Sequence, residues 1–275
     1  MRTRAIPAAV LAAMTVVTLA PTATAASSPG EASPLDFAAA LDVPDGTIYS
    51  ARLRGAPEAA AVAGEALGTF PRTGDDYVIL STGVAADVPG GDPVDDLSTE
   101  LGDARGADGN DLSQLSLTLV PPAGARCLAL DYQLLSEEYP EFLDGEYNDV
   151  FTAELGRSDV TVAGDRIEAP RSFAVDPDGE IATVGTVLGF GRATDTGMDG
   201  TTVALEAHTR FVAGAEDGRF TLVLSVQDIG DSVYDTAVLL DSFRWLYGDM
   251  CAATPLERSP GGSGLDLFMP FQIVE

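Results

Sequence analysis

The stretch SEEYPEFLDGEYNDVF, residues 136–151, sets six carboxylates among four aromatic rings and contains no basic residue. Aromatic rings seek a core, and carboxylates placed beside a core need either water or a positive partner. Glu137 and Glu138 stand where a strong strand pattern, Cys127 to Leu135, runs out, and Pro140 stops the ladder there. Asn148 and Asp149 lead straight into the next strand pattern, Val150 to Leu155. Both acidic groups therefore flank one connection. Carboxylate and amide oxygens converging from a loop are what Ca2+ requires, about six to eight hard oxygen ligands in flexible geometry.

A second acidic run, DIGDSVYDTAVLLDSF at 228–243, places Asp228, Asp231 and Asp235 on a loop between two further strand patterns. If that loop reaches the same edge of the fold, Glu137, Glu138, Asn148, Asp149, Asp228, Asp231 and Asp235 form one candidate Ca2+ site. Ordinary solvated turns are the plainer alternative. Neither run has the spacing of an EF-hand.

Paired carboxylates also serve glycosidases, one as acid and one as base or nucleophile, and any Asp-rich sandwich offers such pairs. Nucleophilic catalysis has less support. His208 is the single histidine and lies within a predicted strand, between Glu206 and Arg210 on one alternating face, which suits a surface or cross-strand role. There is no G-x-S-x-G elbow, and no phosphate loop can form in a chain that lacks Lys altogether. No catalytic residue is assigned.

The elements that must position these residues read mostly as strands. A short helix is predicted from Pro34 to Leu41, with Phe37 and Leu41 on one face, followed by a strand at Thr47–Leu53. YVILSTG, 77–83, reads as a buried strand ending in a glycine turn, and 84–114 as a long Gly/Asp-rich loop. Leu115, Leu117 and Leu119 then share a face. Leu128, Leu130, Tyr132 and Leu134 alternate with Cys127, Ala129, Asp131 and Gln133. Further strands are expected at Val160–Val162, Thr183–Leu188, Thr201–Ala207, Arg219–Gln227 and Ala237–Trp245, with Phe243 and Trp245 in the core. Short alternating strands between Gly, Pro and Asp turns predict an all-β, two-sheet antiparallel sandwich, jelly-roll-like, with long Gly/Asp-rich loops.

The basic start MRTR, the apolar run Ala5–Ala20 and the Ala23-Thr24-Ala25 site describe a secretory signal peptide over 1–25. Residues 26–34 read as a flexible leader, 35–248 as the β-sandwich domain, and 249–275 as a C-terminal linker with a short apolar tail. Formal charge is −28, and about −30 once Arg2 and Arg4 leave with the signal. Such charge repels nucleic acid and anionic lipid and suits divalent cations. Two cysteines in an exported chain predict one disulfide, Cys127–Cys251, with two free thiols as the alternative.

Taken in order, GAPEAAAVAGEAL, YVILSTGVAADV, SEEYPEFLDGEYNDVF, DGTTVALEAHTRFVAG and LVLSVQDIGDSVYDTAVLLDSF resemble the bacterial choice-of-anchor L domain family. The joint pattern covers nearly the whole mature chain. The resemblance implies an extracellular or cell-surface domain, carried on different anchors in different proteins, rather than an enzyme. The chain departs from that pattern in showing no recognisable anchor and in the Cys and Leu of RCLALDYQLL. The expectation is thus a secreted, Ca2+-stabilised module in cell-surface or matrix adhesion or ligand binding, with an extracellular glycan or protein as partner. The alternatives are a polysaccharide-acting hydrolase and a purely structural envelope protein.

Overall fold

The computed structural model describes residues 32–90, 97–102, 109–143, 147–163, 166–176, 178–186, 190–212 and 218–253. The expected signal peptide, most of the leader and most of the C-terminal tail lie outside these residues.

Chain order begins with helix α1, Pro34–Ala40, and strands β1 (Ile48–Arg54), β2 (Ala60–Ala63) and β3 (Tyr77–Ser81). Then come β4 (Gly109–Leu119), β5 (Ala125–Ser136), β6 (Val150–Leu155), and a small hairpin of β7 (Thr161–Ala163) and β8 (Arg166–Glu168). Two short strands, β9 (Gly191–Arg192) and β10 (Gly200–Thr201), precede β11 (Leu205–Arg210), β12 (Phe220–Ile229) and β13 (Thr236–Tyr247). One sheet has the order β1-β4-β12-β6. The other runs β2-β3-β13-β5-β10-β9, with β11 also paired to β5. Every one of these pairings is antiparallel. The fold is the expected all-β, two-sheet antiparallel sandwich, of jelly-roll-like kind.

Alternation explains the layering. Leu115, Leu117, Leu119, Phe151, Ala153, Leu222, Leu224 and Val226 of the first sheet meet Val78, Leu80, Leu128, Leu130, Tyr132, Leu134, Val238 and Leu240 of the second in one core. The opposite face of the second sheet is covered as well. Ile79, Leu135, Ala237 and Leu239 pack against Leu67, Phe70, Ala85, Val88 and Met198. Tyr77–Ser81 is buried on both faces, which is why YVILS reads as an unbroken apolar run. Phe243 and Trp245 belong to the main core.

Helix α1 starts where a capping box sets it: the Ser33 amide donates to Asp36 Oδ2 at 2.7 Å, and the Asp36 amide donates to Ser33 Oγ at 3.4 Å. Phe37 and Leu41 enter the main core as their spacing predicts. Cys127 and Cys251 form the expected disulfide, Cα–Cα 5.6 Å, and fasten the 3-10 turn Gly248–Ala253 onto β5.

Three expectations change. The loop expected over 84–114 ends early, because residues 109–114 are the first half of β4. They are held by pairing with β12, where Asn110 stands opposite Asp228. The strand expected at Thr183–Leu188 is a turn as far as it is described. Thr183 and Thr186 bond through their hydroxyls at 2.7 Å, and the Thr186 amide donates to Thr183 Oγ1 at 3.1 Å. Such side-chain bonds compete with a ladder. The strand expected at Thr201–Ala207 is split into β10 and β11, since the Thr202 hydroxyl takes the Leu134 amide at 3.1 Å.

Candidate functional site

Both acidic runs sit on connections that cross from one sheet to the other. The β5–β6 link leaves the second sheet for the first, and the β12–β13 link returns the opposite way. β6 and β12 are neighbours in the first sheet, with Val150 opposite Gln227. β5 and β13 are neighbours in the second, with Ser136 opposite Thr236. The two crossovers therefore lie side by side at one end of the sandwich. Strand pairing alone brings the segments together, about eighty positions apart in the chain.

At their junction stand Glu138, Asp149, Asp228 and Asp231. Asp149 is fully buried, and Glu138 and Asp228 are each 2% exposed. The Asp149 side chain accepts the Ile229 amide through Oδ1 at 3.0 Å, while its own amide donates to the Glu138 carboxylate. The Glu138 amide is held by Ser136 Oγ at 3.0 Å, and that hydroxyl accepts from Thr236 Oγ1 at 2.8 Å. Asp231 is half-buried at the mouth. Its Oδ1 accepts the Val233 amide at 3.1 Å, and its carbonyl accepts Asn110 Nδ2 at 2.6 Å.

This crowding disfavours negative charge. Burial first, then the Asp149 charge, raises Glu138 far above the ordinary carboxyl range. Burial raises Asp149, opposed by the Ile229 amide and by the nearby polar side chains of Thr236 and Asp228. Asp228 is raised most, by burial and then by Asp149. Glu138 Oε2, Asp149 Oδ2 and Asp228 Oδ1 are buried and meet no donor among the described residues, while the Asp149 and Asp228 side chains stand close enough to share a proton. Anionic oxygens in that condition are costly unless a proton or a metal ion serves them.

The other three candidates lie elsewhere. Glu137, in the turn that begins just after β5 ends at Ser136, sends its side chain elsewhere, and its Oε1 accepts the Leu97 amide at 3.3 Å. Asp235 accepts the Thr99 amide at 2.9 Å. Burial, followed by the charges of Asp111 and Asp87, raises it to about 6. The Asn148 side chain is taken by the Gly185 amide at 2.8 Å. Asp111, which the sequence did not single out, joins Glu137 and Asp235 in fastening residues 97–102, accepting the Leu101 amide at 2.7 Å and the Gly102 amide. Its signal was faint, an Asp in a run already rich in Asp and Gly. Gly83 is required here: a Cβ would run into the Asp235 carboxylate.

The donors at the junction are all oxygen, which suits a hard cation and not a soft one. Among the described residues no group of three or more His, Cys, Asp or Glu is placed so that it could hold a metal ion. What the junction offers toward a cation is donor chemistry alone, buried carboxylate oxygens of the kind that calcium takes. Aromatic rings ring the same end: Phe142 lies 5.7 Å from Tyr147 and 5.4 Å from Tyr234, centroid to centroid. His208 pairs with Glu206 at 3.3 Å on the outer face of the second sheet, away from the junction.

No protein-family model matches the chain, and no curated protein matches it. Among solved structures it is similar to a carbohydrate-binding module in complex with β-1,4-galactotriose, at 11% identity and TM-score 0.32, covering 74% of this chain and 92% of that one. It is similar to a second carbohydrate-binding module, described for specific mannan recognition, at 12% identity and TM-score 0.30, covering 72% and 85%. The cleaved adhesin domain of Lys-gingipain matches at 14% identity and TM-score 0.31, covering 74% and 94%.

Proposed function

We propose that the chain is an exported, choice-of-anchor-L-like β-sandwich module that binds ligands outside the cell, and that Ca2+ holds its acidic loop end together. The observation that supports the metal is the set of three buried carboxylate oxygens without partners, drawn from both acidic segments. Glu138, Asp149, Asp228 and the half-buried Asp231 would hold the ion. Calcium's tolerance of irregular oxygen cages suits side chains fixed by two different crossovers better than the strict octahedron of Mg2+. The ion would neutralise carboxylates that otherwise repel one another and would tie the two sheets together where they are joined by loops.

Burial also favours this reading over a hydrolase. A glycosidase acid and its partner must both reach the scissile bond, whereas Glu138, Asp149 and Asp228 are closed to anything larger than an ion or water. Export is supported by the signal-like start, the disulfide and the acidic composition together.

Melting curves of the purified protein in chelator and in millimolar Ca2+ test the proposal. An ion at about a thousand times its Kd adds roughly 4 kcal/mol to the native state. For a domain of this size that moves the midpoint up by roughly 10 °C. An unchanged midpoint removes the metal from the account.

A further inference from the structure

We infer that the outward face of β1 and β4 binds the acid groups of an extended anionic polysaccharide, carboxylated or sulfated; this rests on the reading of the chain as a module that binds ligands outside the cell, and not on the cation. Strand pairing makes the face continuous. Ala51, Leu53, Leu115, Leu117 and Leu119 turn to the core, so the residues alternating with them turn outward. There Ser50 stands opposite Thr118, Arg52 opposite Ser116 and Arg54 opposite Gln114. Their side chains meet as that register requires. Gln114 Nε2 donates to Ser116 Oγ at 3.3 Å, and the Thr118 hydroxyl lies 3.3 Å from that of Thr221 on β12. Both arginines are exposed. Tyr49, the extra residue where the register shifts between Ile48 and Ser50, is 59% exposed, and Arg219 Cζ stands 3.5 Å from its ring centroid.

Charge selects the occupant. The chain carries 43 Asp and Glu against 15 Lys and Arg, yet no outward residue of β1, or of β4 from Gln114 to Thr118, is acidic. Glu154, the outward carboxylate in line with Arg52, lies on β6 beyond Val223, fully buried and accepting the Asp159 amide at 3.0 Å. Guarding an edge strand such as β1 calls for charge of either sign. Here the sign runs against the composition of the chain. Negative charge elsewhere on the molecule does not cancel it, because exposed charges more than about 8 Å apart are largely screened at physiological salt. Guanidinium forks match carboxylates and tetrahedral oxyanions, which they bind through paired hydrogen bonds. Beside them Ser50, Gln114, Ser116 and Thr118 can each donate and accept, as sugar hydroxyls do. A protein interface is built round a cluster of apolar anchors, and this face has the single ring of Tyr49.

The test is calorimetric titration of the wild-type chain, of Arg52→Gln, and of Arg192→Gln, which removes an exposed arginine from β9 in the other sheet. The probes are a galacturonate hexasaccharide and a heparin-type sulfated hexasaccharide. A neutral galactose hexasaccharide, a hexaglutamate peptide and a hexathymidylate are the controls. All runs are in chelator, so that neither the proposed ion nor calcium bridging of the uronate contributes. The expected result is binding of an acidic saccharide, the better of the two identifying the acid group, with affinity falling as salt rises. Arg52→Gln should weaken it about tenfold or more, as for a lost charge-assisted pair, and Arg192→Gln by less than about twofold. Both variants should melt with the wild type, as surface substitutions do. The inference is overturned if neither acidic saccharide binds, if Arg52→Gln binds as the wild type does, or if both variants lose affinity equally. It is overturned equally if hexaglutamate or hexathymidylate binds as tightly. Binding of the neutral hexasaccharide alone overturns it while leaving the chain a ligand-binding module. A melting midpoint that ignores Ca2+ sinks the cation and leaves this test standing.

Discussion

Asp228→Asn raises the melting temperature of the chelator-treated protein and abolishes its response to Ca2+. The two effects have opposite signs and a single cause. Without a metal, Asp228 is a buried carboxyl pressed against Asp149, with Oδ1 unpartnered. An asparagine of the same shape carries no charge, and its amide can donate to the orphaned Asp149 Oδ2. Satisfying one buried acceptor is worth about 1–3 kcal/mol. With Ca2+ present the same change removes a charged ligand, and most of the roughly 4 kcal/mol of linkage stabilisation goes with it. The pH response follows from the same groups. Their carboxyls are raised in the folded state, so the native chain holds these protons more tightly than the unfolded one. That contribution is complete below about pH 4, the ordinary carboxyl value, and is lost as pH rises through the folded values. Asp235, raised to about 6, titrates in the same direction. Midpoints measured in chelator should therefore fall between about pH 5 and pH 8, and Ca2+ should flatten the decline. Midpoints that climb over that range in chelator would contradict the crowding described at the junction.

Reduction of Cys127–Cys251 is the second large effect. The bridge joins residues 124 apart, and both sulfurs are buried. The chain-entropy model gives roughly 4–5 kcal/mol for a loop of this size. It also fixes the last described turn, Gly248–Ala253, against β5, where Arg210 donates to the Cys251 carbonyl at 3.2 Å. Denaturant titration with and without reductant should show the midpoint falling by that amount, with sandwich-like far-UV signal surviving below it. A loss under about 1 kcal/mol would mean that the unfolded chain is already constrained there.

Much of the sandwich was legible because alternate residues meet different surroundings. Leu115, Leu117 and Leu119 face the core while Gln114, Ser116 and Thr118 do not, and the same parity runs through β5 and β6. What stayed hidden was decided by distant partners. The first half of β4 lies in a Gly/Asp run with no alternation, and it is a strand only because β12 runs alongside it as far as Gly109. Thr183–Thr186 has the composition of a strand, yet hydroxyl-to-backbone bonds curl it into a turn. At the junction, residue type pointed to the correct loops but could not sort their carboxylates. Glu137 and Glu138 are equally acidic, and only the turn that follows β5, held by Ser136 Oγ and by the Phe142 amide on the Glu138 carbonyl, sends one to the junction and the other to the 97–102 segment. Asp235 is drawn away by the Thr99 amide and the space left by Gly83.

Two neighbouring crossovers between the sheets are proposed to share one ion. Calorimetric titration of Ca2+ into the chelator-stripped protein tests it, run on the wild type, on Glu138→Gln from the first crossover and on Asp228→Asn from the second. One ion bound per chain and a large loss of affinity in each variant are expected. No binding by the wild type, or binding that survives removal of either crossover's ligand, would contradict it.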